Sequence, residues 1–74
     1  MILEIQTRTR VLLDRVGKMP ATSFESKSTL AVICRMNARV AQLRGDELAA
    51  MVHLKYASQY AHMAEMCEKS PVQH

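Results

Sequence analysis

Between Ile33 and Ala64 the chain advances in alternating steps of three and four through Ile33, Met36, Val40, Leu43, Glu47, Ala50, Leu54, Ala57, Ala61 and Ala64, with Glu47 the one polar member. Such a spacing keeps one side of an α-helix facing one neighbour, as in a coiled-coil seam, whereas a strand requires a period of two. The sequence is thereby directed to an all-α fold, and the question becomes how many helices carry the seam.

Gly45-Asp46 interrupts the seam, and two readings compete there. In one, Gly45 ends a helix, Asp46 caps the next and Glu47 sits favourably in its first turn. In the other, a single helix runs through Gly45 at a cost of about 1 kcal/mol relative to alanine. Because a break has no evident reason to preserve the heptad phase, the seam favours one long helix over about 28–68. Its length would be roughly 60 Å at 1.5 Å per residue.

A second, shorter helix precedes it. From Ile2 to Val16, the residues Ile2, Ile5, Thr9, Leu12, Leu13 and Val16 gather on one face, while Glu4, Arg8, Arg10, Asp14 and Arg15 fall outside it. A strand is the competing reading, since apolar and polar residues alternate from Leu3 to Val11. It fails at Val11-Leu12-Leu13, where the alternation stops and the helical face continues. Gly17 is expected to cap this helix in the left-handed region, and Pro20 cannot extend it. The helix is therefore expected over about 2–17 and a loop over 18–27, with Phe24 pinning the loop to the core. Ser26 or Ser28 is expected to cap the next helix. At the far end Ser70-Pro71 closes the helix, and 70–74 reads as a frayed tail.

The expected architecture is a helical hairpin, short helix against long, within one domain spanning 1–74. The three-helix arrangement broken at Gly45 is the alternative. Seventy-four residues give a core worth only about 3–5 kcal/mol at this size, so support from a disulfide, a metal or association is expected. Cys34 and Cys67 lie far apart in sequence and form no C-x-x-C, which favours free thiols over a disulfide framework. His53 and His62 are nine residues apart, on opposite sides of a helix, so they do not share an ion. No metal and no cofactor are expected. Association remains.

The N-terminus lacks a basic leader before a long apolar run, and no stretch reaches the roughly 18 apolar residues of a membrane span. No membrane partner and a cytoplasmic location are expected. Net charge is +3, unevenly distributed: residues 1–44 hold eight bases against three acids, and 45–74 two bases against four acids. The basic half suits an anionic partner, or the acidic half of a second copy.

Catalytic motifs are missing from the sequence. It has no glycine-rich phosphate loop, no H-E-x-x-H and no nucleophile elbow, and a Cys34 thiol among apolar neighbours would be inert. The chain is not expected to be an enzyme. Its distinctive region is an apolar arc of about 200° on the second half of the seam, wider than one neighbouring helix covers. Val52, Tyr56, Tyr60, Met63, Ala57 and Ala61 within it are the candidate partner contacts. Asn37, set among Leu30, Ile33, Val40 and Ala41, could fix a register or lie solvated at the edge of an interface.

The expected function is therefore a small helical protein–protein interaction module, an adaptor, a chaperone-like subunit or an inhibitor of a partner, acting through an apolar helix face as a homodimer. The alternative is a small basic dimeric nucleic-acid-binding protein or transcriptional regulator whose candidate contacts are Arg35 and Arg39, one turn apart.

Overall fold

The computed structural model describes residues 1–69; the tail expected at 70–74 lies outside the described residues. Three α-helices follow one another: α1 Ile2–Val16, α2 Phe24–Leu43 and α3 Glu47–Lys69. The fold is all-α, in the three-helix form, and the longer uninterrupted helix is not formed.

In α1 the stripe of Ile2, Ile5, Thr9, Leu12 and Val16 is turned inward, with Thr9 buried. Burying a hydroxyl is tolerable only if it is hydrogen-bonded. Thr9 Oγ1 donates to the Ile5 carbonyl at 2.8 Å and also lies 4.0 Å from Met36 Sδ on α2.

The end of α1 differs from expectation. Gly17 has φ −61°, a right-handed value. Lys18 and Met19 extend the helix in tighter turns, their N–H groups donating to Arg15 and Val16 carbonyls at 3.0 Å. Pro20 then ends it. The loop is also shorter than expected at its far side: α2 begins at Phe24, not at 28, and its cap is Ser23 rather than Ser26 or Ser28. Ser23 Oγ accepts from the Ser26 N–H at 3.1 Å and donates to the Pro20 carbonyl at 2.8 Å, bracing the turn from both sides. Phe24 opens the helix and is largely exposed, so it does not pin a loop to the core.

The break at Gly45 has a clear local cause. Gly45 takes φ +79°, the Gly45 N–H donates to the Gln42 carbonyl at 3.0 Å and the Asp46 N–H to the Ala41 carbonyl at 2.8 Å. These two bonds form the Schellman pattern that terminates helices. Asp46 Oδ1 then accepts the Ala49 N–H at 3.1 Å, starting α3 with an N-cap.

After the break α3 folds back along α2. The inward positions of α3 are Ala50, His53, Ala57, Tyr60, Ala64 and Cys67, again spaced by three and four; Ala50, Ala57 and Ala64 are members of the expected seam, whereas His53, Tyr60 and Cys67 take the places expected for Leu54 and Ala61. Leu43, Glu47 and Leu54 of the expected seam are exposed. Facing them on α2 are Ala31, Cys34, Ala38 and Ala41. Short side chains on both helices allow close approach, and among the described residues six of the eight buried apolar ones are alanine. Ile33 and Val40 are the larger two, on the side of α2 that receives α1.

With α2 in the middle, α1 and α3 have no Cα–Cα approach within 8 Å of each other. The molecule measures 46 × 22 × 13 Å. The fold is thus a layer in which α2 separates α1 from α3, not a bundle in which a third helix covers the seam between two others.

Candidate protein-binding surfaces

Placing residues at about 100° each, and using the grooves that adjoining helices line together, assigns side chains to the two broad faces of this layer. One face carries Leu13 of α1, Leu30 and Asn37 of α2, and Val52, Tyr56, Tyr60 and Met63 of α3. A groove of about 370 Å³ crosses it, lined from all three helices by Gln6, Asn37, Val40, Ala41, Ala49 and His53, and from the turn by Arg44 and Asp46. Asn37 and His53 are half-buried at this groove.

The candidate partner contacts divide into two groups. Val52, Tyr56 and Met63 are 48, 49 and 41 % exposed and stand together on the outer flank of α3. Ala57 is 3 % exposed and is part of the α2–α3 seam, so α2 already covers it. Ala61 and Tyr60 are half-buried at the margins of that seam. The Lys27 ammonium of α2 lies 5.9 Å from the Tyr60 ring centroid, which holds the ring toward α2.

Sequence reasoning missed a second group on α3. Leu48, Met51 and Met66 are 75, 66 and 58 % exposed on the side of α3 turned away from α2, Leu48 one turn from Val52 and Met66 one turn from Met63. Exposed Lys55, Ser58, Gln59 and His62 are interspersed among them. The heptad spacing places Leu54 in the seam and takes no account of Leu48 and Met51, which lie off it.

The opposite face of the layer is basic. Arg8 and Arg15 rise from α1, and Arg35 and Arg39 from α2, all exposed. On this face a groove of about 580 Å³ is lined by Thr7, Arg8, Val11, Leu12, Arg15, Val32 and Met36. The ion pairs among the described residues are Met1 ammonium–Glu4 at 3.8 Å and Lys18–Asp14 at 3.7 Å, so none of these four guanidinium groups is held by a carboxylate there. Arg35 and Arg39 thus share a face with Arg8 and Arg15, while Arg10 points to the other.

The two cysteines are free thiols. Burial between α2 and α3 pushes the Cys34 thiol above its ordinary pKa. Cys67 Sγ donates to the Thr22 carbonyl at 3.2 Å, tying the end of α3 to the α1–α2 loop. Among the described residues, no group of three or more His, Cys, Asp or Glu is placed to hold a metal ion, and no helix is long and apolar enough to cross a membrane. Compared with protein-family models, curated protein sequences and solved structures, the chain matches none.

Proposed function

We propose that this protein is a small helical interaction module, an adaptor, chaperone-like subunit or inhibitor that works by covering a surface of another protein, and that it homodimerises through α3. The observation that carries this reading is the outer surface of α3, where Val52, Tyr56 and Met63 and, adjoining them, Leu48, Met51 and Met66 meet solvent. So many large apolar side chains exposed on one helix are ordinarily covered by a partner. Covering a half-exposed side chain of this size contributes about 1 kcal/mol. The layer's own core, made mostly of alanine, supplies little apolar area, so the gain from association is large relative to what holds the monomer together. Tyrosine and methionine also suit an adaptable apolar contact.

Nucleic-acid binding is the second reading, favoured by the exposure of Arg35 and Arg39 on one face with Arg8 and Arg15. It leaves the apolar surface of α3 without a role. Light scattering and anisotropy of a labelled DNA duplex separate the two readings. Under the first, Tyr56→Glu with Met63→Glu yields a monomer, and Arg35→Glu with Arg39→Glu leaves the dimer intact. Under the second, salt-dependent duplex binding occurs and only the arginine pair abolishes it.

A further inference from the structure

We propose that the groove between α1 and α2 is a docking site for an amphipathic helix of another protein, one whose apolar stripe is bordered by carboxylates. The site lies on the face opposite Val52 and Tyr56, so it stands or falls independently of dimerisation through α3.

Four observations support it. First, the groove has an apolar floor: Val11 and Val32 are 50 and 40 % exposed, and Leu12 and Met36 are half-buried beside them. Second, both helices carry arginines on this face. Arg8 and Arg15 lie seven residues apart on α1, a separation of about 10 Å along the axis. On α2, Arg35 and Arg39 stand one turn from Val32 and Met36 respectively. Third, no carboxylate among the described residues pairs with any of the four guanidinium groups, which are therefore available to an incoming acid. Fourth, the groove lies between two neighbouring helices, the setting in which an amphipathic helix lays its apolar face.

Charge and spacing select the occupant. A helix with Asp or Glu about seven residues apart along one border of an apolar stripe matches the Arg8–Arg15 pair, and an acid on the other border reaches Arg35 or Arg39. Guanidinium–carboxylate pairs are directional and charge-assisted, so they fix register while the apolar floor supplies area. A second copy of this chain fits poorly. The acids of α3 fall at Glu47, Glu65 and Glu68, and those of α1 at Glu4 and Asp14, with no pair seven apart. A phosphate backbone would leave the apolar floor unmatched.

The test is selection of a displayed library of randomised helical peptides against the full-length protein, followed by fluorescence anisotropy with the enriched peptides. Enriched helices should carry acids six to eight positions apart beside an aliphatic stripe. Arg8→Gln with Arg15→Gln should weaken them at least about tenfold. Val32→Asp in the floor should do the same. Arg10→Gln, on the other face, should change affinity less than about twofold, and circular dichroism should show all variants equally helical. The proposal is overturned if the enriched peptides lack paired acids, if the double arginine variant binds them unchanged, or if no helix is enriched. It is also overturned if a labelled DNA duplex outcompetes the best peptide, or if the arginine variant alters the oligomeric state instead of peptide affinity.

Discussion

Gly45 and Gly17 are the only glycines, and the backbone gives them opposite roles. At φ +79° Gly45 occupies a conformation that costs an L-residue about 1–2 kcal/mol, although an added Cβ would meet nothing within 4 Å. Gly45→Ala is expected to destabilise by about 1 kcal/mol through backbone strain alone. Gly17 is right-handed, and an added Cβ would meet the Asp14 and Leu13 carbonyl oxygens at 3.4 and 3.7 Å, ordinary contact. Gly17→Ala should therefore be neutral or stabilise by up to about 1 kcal/mol, because it restricts the unfolded chain. Urea unfolding of the two variants checks the contrast, and equal effects would contradict it. Cys34 gives a chemical prediction at the same scale. Its thiol pKa is raised in the folded state, so the folded chain holds that proton to higher pH than the unfolded chain does. Any stability from this group is present below the unfolded-state pKa and declines as pH rises through and above it. Native Cys34 should react with iodoacetamide more slowly than in urea-unfolded protein, a difference that peptide mapping resolves.

Between elements, the α2–α3 seam depends on small side chains. Ala57→Leu should force the two helices apart and cost about 1–3 kcal/mol. Ala61→Leu, at the half-buried margin, should cost less; a reversed order in thermal unfolding would refute the seam as described. Much of this architecture was legible in the sequence. The spacing of Ile2, Ile5, Thr9, Leu12, Leu13 and Val16 identified α1 within a residue and its inward face except for Leu13, which is 50 % exposed. Two elements were not legible for physical reasons. Continuity through Gly45 was judged from heptad phase, but the local hydrogen bonds at Gln42 and Ala41 decide a helix end, and phase does not sense them. The actual α3 seam of Ala50, His53, Ala57, Tyr60, Ala64 and Cys67 mixes alanine with polar and aromatic side chains. A pattern that scores hydrophobicity therefore prefers the run through Leu43 and Leu54, which solvent reaches. The candidate contacts split for the same reason: Val52, Tyr56 and Met63 lie outside the true seam, and Ala57 lies within it.

At the scale of the whole molecule, the layered arrangement is the property from which function is argued. Three helices side by side, with the outer two apart, leave two broad faces and expose apolar side chains that a bundle would cover. Under the proposed function, one face is closed by a second copy through α3, while the basic groove on the other remains open to a different helix. Sedimentation equilibrium at several micromolar concentrations, together with thermal unfolding of the same samples, is the most direct measurement. Dimerisation through α3 predicts a concentration-dependent mass and a Tm that rises with protein concentration, both lost in the Tyr56→Glu, Met63→Glu variant. A cooperative monomer at every concentration, with a constant Tm, would contradict it.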